Sequence, residues 1–178
     1  MAKLTNFFRT VFLEEAAKLG GKDMKAVKTD KAPLPIGPYS QAIIDGRYVF
    51  CSGQLGINPN LPEDPEFNRI PYSAAEQTKQ IFENLKAILE EAGTSLEKVV
   101  KATVYLLDGR DFREMNEVYA EYFGNHKPAR TTIIIERLPI WNAKVEIDII
   151  AVIPWHFRLC GFLSRTFKLP EGTRFYLP

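Results

Sequence analysis

Two charged side chains in the second half of the chain have the types and spacing expected of a small-molecule site. Arg130 follows Pro128 by two residues, where a helix would end and an apolar strand at residues 133–135 would begin. A guanidinium fixed at the start of a strand can hold a carboxylate through two parallel hydrogen bonds. Glu146 lies inside a second apolar run, residues 144–150. An anion clamp and an in-strand acid together outline a site for a small anionic molecule.

Other chemistries find little support in the composition. The chain has 178 residues and a formal net charge of +1, which gives no general signal for nucleic acid. Its two cysteines, Cys51 and Cys160, lie far apart in sequence and suggest neither a disulfide framework nor a zinc site. His156 precedes Cys160 by four residues, but two ligands alone do not form a zinc site. We predict no metal site, and we give neither His126 nor His156 a catalytic role.

Apolar runs of strand length recur through residues 24–154, a pattern that indicates one folded domain. The first two runs flank Asp45 and Gly46, a pair typical of a tight hairpin turn. The proline-rich residues 56–72 show no clear period and are predicted to form a loop. Strands are predicted at residues 42–44, 48–50, 99–107, 130–137 and 144–152.

Two helices are predicted between these strands. Ser73 and Glu76 form a capping-box pattern at the start of the first helix, and Gly93 is placed to end it. Asp111 precedes the second helix, and its predicted buried face consists of Phe112, Met115, Tyr119, Tyr122 and Phe123. The order β-β-α-β-α-β-β predicts an α+β domain, with a single sheet and two helices on one of its faces.

The other face of that sheet would have no helix to cover it. Val145, Ile147 and Ile149 alternate along the last strand, and we expect them to line this helix-free face. An uncovered apolar sheet face usually packs against another subunit. The sequence therefore predicts an oligomer.

Five short motifs occur in the order and spacing of one known family. They are Pro38-Tyr39-Ser40-Gln41-Ala42, Ser52-Gly53-Gln54, Phe112-x-x-x-Asn116-x-x-Tyr119, Pro128-Ala129-Arg130 and Val145-Glu146-Ile147. Together they make residues 25–153 resemble the Rid family of reactive intermediate deaminases, also called YjgF-like proteins. The resemblance implies a chorismate-mutase-like fold assembled as a homotrimer, with sites in the clefts between subunits. It also implies hydrolysis of reactive enamines and imines, such as 2-aminoacrylate, to 2-oxo acids and ammonia without a cofactor.

The resemblance also implies roles for individual residues. Arg130 would bind the substrate carboxylate, and Glu146 would activate the water that attacks the imine carbon. Further substrate contacts would come from Tyr39, Ser52, Gly53, Asn116 and Thr132. Many family members carry a cysteine at the position of Thr132, where the backbone helps to hold the carboxylate. That backbone contact survives the change to threonine, but thiol chemistry at this position is lost.

Each of these residues also has a purely structural interpretation. Arg130 could pair with Glu136 or an aspartate, and Glu146 could pair with Lys144 at the edge of the sheet. The structural alternatives for the other residues are a loop-holding amide at Asn116, a core tyrosine at Tyr39 and a plain strand-ending turn at Ser52 and Gly53.

Both ends of the chain extend past the predicted domain. Residues 1–23 carry apolar side chains at helical spacing and are predicted to form an amphipathic helix, while Glu14 and Glu15 argue against a mitochondrial transit peptide. Residues 155–178 are rich in aromatic and basic side chains. We expect both extensions to dock on protein, either the chain's own trimer or a larger assembly. A membrane surface and RNA are the alternatives.

Three functions remain open on the sequence alone. The first is imine and enamine hydrolysis, which the intact cleft residues favour. The second is an accessory or structural role in a larger, for example mitochondrial, assembly, which the extensions favour. The third is nucleic-acid handling as a ribonuclease or translation inhibitor, and the net charge and the absence of a histidine pair make it the weakest. We expect an intracellular location, in the mitochondrial matrix or the cytosol.

Overall fold

The computed structural model describes residues 24–61 and 69–154, in which one six-stranded sheet packs against two helices. The strands are β1 (Lys25–Val27), β2 (Ala42–Asp45), β3 (Tyr48–Leu55), β4 (Val99–Leu106), β5 (Ala129–Ile134) and β6 (Val145–Val152). The helices are α1 (Ala74–Glu91) and α2 (Phe112–Phe123). The predicted α+β architecture is confirmed. The short first strand was not predicted, because three residues cannot show a recognisable alternation.

The strands are ordered β1-β2-β3-β6-β4-β5 across the sheet. β4 and β5 are parallel and are joined by α2, whereas the other neighbours pair antiparallel. The β2–β3 hairpin turns at Gly46, whose φ of 58° is a left-handed conformation that glycine adopts without strain. This order puts Arg130 on the edge strand β5 and Glu146 on a central strand.

The first helix begins and ends as its sequence predicts. The hydroxyl of Ser73 accepts a hydrogen bond from the Glu76 N–H at 3.2 Å, as in a capping box, and donates to the Glu76 carboxylate at 2.9 Å. At the other end Gly93 has a φ of 81°, and the Thr94 N–H reaches the Leu89 carbonyl at 2.9 Å. These local bonds fix where α1 begins and ends.

The two helices cover the sheet face that carries Val145, Ile147 and Ile149, all of which are fully buried. The prediction that these three residues line the helix-free face was therefore wrong. Strand alternation determines which residues share a face, but it does not determine which face the helices cover. The helices bury the more apolar of the two sets.

The opposite face, called here the open face, carries Glu146 and Asp148 of β6. Tyr48 and Phe50 of β3 and Ile133 of β5 also lie on this face, and all three side chains are exposed in the single chain. The open face therefore combines a pair of acids with exposed apolar side chains.

Both predicted extensions, residues 1–23 and 155–178, lie outside the described residues. Their helical and docking properties, and the domain boundaries at 24 and 154, stay predictions. Within the described part of the chain, no helix is both long enough and apolar enough to span a bilayer.

Candidate functional site

Arg130 lies on the helix-covered side of the edge strand β5. It pairs in register with Ala102 of β4, whose side chain is fully buried beneath the helices. From this position its Nη1 donates a hydrogen bond of 2.9 Å to Oδ1 of Asn116 on α2. The crossover from β4 through α2 to β5 thus brings together two of the predicted substrate-binding residues.

Two aromatic rings of α2 flank the same guanidinium. The Arg130 Cζ lies 4.6 Å from the Tyr119 ring centroid and 5.8 Å from that of Phe112, distances at which a cation is attracted to a ring. Phe112 was predicted to be buried, but it is 41% exposed at the first turn of α2. The prediction treated every apolar position on the buried face of this helix alike, although the first turn of the helix extends beyond the packed core.

No carboxylate among the described residues forms an ion pair with Arg130. Its structural alternative, a pair with Glu136 or an aspartate, is therefore not observed in this part of the chain. A guanidinium has five N–H donors, and Asn116 accepts from one of its nitrogens. The remaining donors can bind a carboxylate, and half-buried Thr132 lies two residues further along β5 on the same face.

Glu146 lies on the open face of the central strand β6, opposite Leu55 of β3 and Tyr105 of β4. Its carboxylate packs against the backbone of Gly53. A Cβ at position 53 would lie 2.9 Å from the Glu146 Cδ and would overlap its Oε1. Glycine at this position leaves the space in which the Glu146 carboxylate lies, and a register shift between Cys51 and Gln54 shapes this part of β3.

The surroundings of Glu146 favour its protonated form. Burial raises the pKa of its carboxyl above the ordinary value, and the negative charge of Asp148 raises it further. Lys144, its predicted structural partner, instead forms an ion pair with Asp111 at 3.5 Å. Among the described residues no hydrogen bond or ion pair engages the Glu146 carboxylate. A half-buried, unpaired carboxylate with a raised pKa is suited to accept a proton from water near neutral pH.

Ser52 ties a neighbouring loop to the same place. Its hydroxyl donates to the Ser40 carbonyl at 2.6 Å, and its N–H donates to the Gln41 carbonyl at 3.0 Å. The adjacent Tyr39 is 49% exposed, so it is not a core tyrosine, and its hydroxyl accepts a hydrogen bond of 3.4 Å from the Ile36 N–H. Tyr39 and Ser52 therefore lie in the same region as Gly53 and Glu146.

Two buried glutamines, Gln41 and Gln54, hold this region, and neither was among the predicted site residues. The Gln41 amide donates to three backbone carbonyls and accepts from the Thr29 N–H at 2.8 Å, which fixes the loop before β2. The Gln54 amide donates to the carbonyls of Ser52 and Gly53 at 3.3 Å each. The sequence did carry a signal for these two roles, because each glutamine lies inside one of the five family motifs. A buried amide there must find hydrogen-bond partners.

The candidate residues thus form two groups. The clamp half-site consists of Arg130, Asn116, Tyr119 and Thr132, and the acid half-site consists of Glu146, Gly53, Ser52 and Tyr39. The two half-sites lie on opposite faces of the sheet. Arg130 lies on the same face as its β4 partner Ala102, whereas Glu146 lies on the same face as its β4 partner Tyr105, and Ala102 and Tyr105 point to opposite faces. Strand and residue spacings put the Arg130 and Glu146 Cα atoms roughly 14 Å apart. A single chain does not direct both side chains at one small molecule.

Other reactive side chains in the described ranges are occupied or buried. Burial raises the pKa of the Cys51 thiol to about 12, with a smaller contribution from Asp148, so thiolate chemistry is disfavoured there. The His126 ring lies 2.7 Å from the Val99 carbonyl through Nε2. Residues 24–61 and 69–154 contain no group of three or more His, Cys, Asp or Glu side chains that could hold a metal ion.

The fold and the two half-sites define a YjgF-like α+β protein. A family model described as Endoribonuclease L-PSP matches residues 29–153, so the chain belongs to this family, which includes the Rid proteins. The predicted membership of the Rid family is confirmed.

Individual relatives agree with this assignment. A RutC family protein of Pyrococcus abyssi is 51% identical over 127 residues, covering 71% of this chain and 95% of the relative. The chloroplastic Reactive Intermediate Deaminase A of Arabidopsis thaliana is 43% identical over 129 residues, covering 72% and 66%. Among solved structures, RidA from an Antarctic Psychrobacter has a TM-score of 0.66 at 41% identity, covering 72% of this chain and 99% of that one. E. coli TdcF with bound serine has a TM-score of 0.66 at 38% identity, covering 73% and 98%.

Proposed function

We propose that this protein hydrolyses small imines and enamines that carry a carboxylate, such as 2-iminobutanoate and 2-aminoacrylate. The names of the Arabidopsis and Psychrobacter relatives support this reaction class. The observation that carries the proposal is the environment of Arg130. Asn116 and two rings orient its guanidinium, and no described carboxylate neutralises it. Such a guanidinium is ready for an anion that a ligand supplies.

The reaction needs only one carboxylate clamp and one base. Arg130 holds the substrate carboxylate while Glu146 takes a proton from water, and the water oxygen forms a bond to the imine carbon. The C=N electron pair moves to nitrogen, which receives that proton from Glu146. Glu146 then transfers the new hydroxyl proton to the amine, the C–N bond breaks, and ammonia and the 2-oxo acid leave. An enamine first tautomerises to the imine, in which its methylene carbon gains a proton from water and its nitrogen gives one up to water, and the imine then enters the same sequence.

We further propose a homotrimer in which the clamp half-site of one subunit faces the acid half-site of the next. The separation of Arg130 and Glu146 on opposite faces supports this, because each half-site alone lacks one of the two functions. The exposed side chains of Tyr48, Phe50 and Ile133 on the open face also support association. A closed ring of identical chains would pair every clamp with an acid.

The test is turnover of 2-iminobutanoate released by an amino-acid oxidase, with semicarbazide trapping the imine that escapes hydrolysis. Arg130→Ala and Glu146→Gln should each lower kcat/KM by roughly 100-fold or more, and Arg130→Lys should recover part of the loss. Arg113→Ala is the matched control, because Arg113 is an exposed arginine on α2 that pairs with Glu117. Turnover by Arg130→Ala or Glu146→Gln that equals this control would overturn the proposal.

The endoribonuclease named in the family description has less support from this site. The net charge is +1, and the His126 ring contacts a backbone carbonyl. The same preparations should therefore leave single-stranded RNA intact. RNA cleavage that Glu146→Gln abolishes would favour the ribonuclease, whereas cleavage that all variants share would indicate contamination.

We propose that the extensions 1–23 and 155–178 dock on protein, on the trimer itself or on a larger assembly. The family match at residues 29–153 excludes both extensions, which supports a role outside the shared reaction. Residues 24–154 produced alone should then trimerise and hydrolyse imines but no longer co-purify with a larger particle. A fragment that aggregates would place the extensions within the protein's own fold.

A further inference from the structure

A pocket of about 540 Å³ lies at the end of the sheet where β4 finishes. Its apolar lining includes Ile70, Leu107, Leu138 and Ile140. The pocket lies beyond the acid half-site: Lys144 precedes Glu146 by two residues, and Leu107 follows Tyr105, the β4 partner of Glu146, by two. Arg130 of the same chain is further away, because it pairs with Ala102, which lies about 17 Å from Leu107 along the sheet. No residue of the clamp or acid half-site lines the pocket, so the proposed hydrolysis does not use it.

A fully buried glutamine fixes the walls of this pocket. The Gln77 amide donates hydrogen bonds of 2.8 Å to the carbonyls of Pro71 and Asn142, and its oxygen accepts from the Lys144 N–H at 2.7 Å. These bonds join the segment before α1 to the segment before β6. The pocket is consequently held open by its own backbone, as expected of a binding site that exists before its ligand arrives.

The rim carries large aromatic rings and positive charges. Tyr72 is 92% exposed and Trp141 is 76% exposed, although such rings are normally at least half covered. The Lys144 ammonium lies 5.9 Å from the Tyr72 ring centroid and is paired with Asp111. Arg137 lines the same pocket, and it has no hydrogen bond or ion pair to any residue in the described ranges. The rim therefore offers flat apolar contacts and one cation without a partner.

We propose that this pocket binds a small molecule made of a flat apolar ring and a single carboxylate. The volume falls within the range of small-molecule sites, roughly 300–1,000 Å³. Tyr72 and Trp141 would contact the ring, Arg137 would bind the carboxylate, and the positive rim disfavours a cationic ligand. The pocket adjoins the acid half-site but shares no lining residue with either half-site, so neither proposal depends on the other.

The probe is 3-phenylpropanoate, compared with its uncharged amide, and the readout is the indole N–H resonance of Trp141 in the full-length protein. We expect saturable shifts with the carboxylate and at least about tenfold weaker binding of the amide. Arg137→Gln should weaken carboxylate binding about tenfold and leave amide binding unchanged. Trp141→Ala should lose binding. Because this variant lacks the reporter indole, its binding is followed through the line widths of the 3-phenylpropanoate resonances. The control is Arg113→Gln, an exposed arginine of α2 outside the pocket.

A second set of measurements shows whether the probe binds in this pocket or at the Arg130 clamp. Carboxylate binding should persist in Arg130→Ala and in the presence of excess 2-oxobutanoate, which would occupy the clamp. Loss of binding in Arg130→Ala would place the probe at the clamp and overturn the proposal. Equal affinity for the acid and the amide, or full binding by Trp141→Ala, would overturn it as well. A Trp141 indole that added acrylamide cannot reach in the free protein would also overturn it, because a neighbouring subunit would then fill the pocket.

Discussion

The Glu146 carboxylate lies directly against the backbone of Gly53, in the space that a Cβ at position 53 would occupy. A Cβ at position 53 would be 2.9 Å from the Glu146 Cδ. The Gln54 amide donates a hydrogen bond of 3.3 Å to the Gly53 carbonyl, which adds a second contact to the same backbone. Two short sequence motifs, Ser52-Gly53-Gln54 and Val145-Glu146-Ile147, therefore form a single structural unit in which one determines the position of the other.

This contact makes Gly53→Ala a test of the acid half-site. The added methyl group should displace the Glu146 carboxylate, and we expect kcat for imine hydrolysis to fall by roughly 100-fold while the protein stays folded. The double variant Gly53→Ala with Glu146→Gln should be no slower than Glu146→Gln alone, because both changes remove the same function. Losses that multiply in the double variant would show that Gly53 acts independently of Glu146.

The pH dependence of turnover tests the charge next to the base. Tyr105 of β4 and Asp148 of β6 are the described titratable groups that face Glu146, and the raised pKa of Tyr105 keeps its hydroxyl neutral. Because the Glu146 pKa is raised, the acid limb of kcat/KM should lie above the usual glutamate pKa of about 4.3. Asp148→Asn removes a neighbouring negative charge, so the limb should move to lower pH. It should remain above the ordinary value, because burial persists.

The exposed Asp45 at the β2–β3 turn provides the control for this measurement, and Asp45→Asn should leave the limb in place. An acid limb that Asp148→Asn does not move would remove Asp148 from the electrostatics of the base. A limb that persists in Glu146→Gln would belong to another group.

The same raised pKa predicts that Glu146 destabilises the fold at neutral pH. A carboxyl whose pKa is higher in the folded than in the unfolded state binds its proton more tightly when folded. The protonated carboxyl therefore contributes fully to the free energy of unfolding below the unfolded pKa, and this contribution is lost as pH rises through the folded pKa. Glu146→Gln should therefore raise the free energy of unfolding at pH 7, and this advantage should shrink towards pH 4. Urea unfolding at equal protein concentration, with exposed Glu97→Gln as reference, measures the difference.

The hydrogen bond between Arg130 and Asn116 predicts two different outcomes from one position. Asn116→Ala removes an orienting acceptor and should raise KM for 2-iminobutanoate about tenfold, with a smaller change in kcat. Asn116→Asp retains an acceptor but adds a negative charge that neutralises the guanidinium, so its KM should rise further. If Asn116→Asp binds 2-oxobutanoate as well as the wild type does, Arg130 is not the carboxylate clamp.

Local signals explain most of what the sequence predicted correctly about the fold. The turn at Asp45 and Gly46 and the cap at Ser73 are each determined by neighbouring residues, so they could be recognised before the fold was known. The burial of Val145, Ile147 and Ile149 could not, because it depends on where distant helices pack. Sequence alternation contains no information about that choice.

The site shows a similar division between local and distant information. The chemistry of Arg130 and Glu146 is evident from residue type, but their partners lie far away in sequence. Asn116 reaches Arg130 only through the α2 crossover, and Gly53 reaches Glu146 only through the β3–β6 pairing. The placement of the two half-sites on opposite faces follows from strand register. No local pattern specifies that register.

Because Arg130 and Glu146 lie on opposite faces of the sheet, we predict that each active site is formed by residues of two subunits. If each site takes its arginine from one subunit and its glutamate from the next, two inactive variants can complement each other. Co-expressed Arg130→Ala and Glu146→Gln chains would assemble at random. About a quarter of the sites would then contain both intact residues, so about a quarter of wild-type turnover should return.

Neither variant alone, nor a mixture made after assembly without subunit exchange, should show this recovery. The matched control is the doubly substituted chain co-expressed with wild type, which should retain about a quarter of wild-type turnover if sites are shared and about half if each site lies within one chain. Light scattering should give the mass of three chains for every mixture. Trimers of mixed composition that stay inactive would show that Arg130 and Glu146 act within one chain, and the shared site would then be wrong.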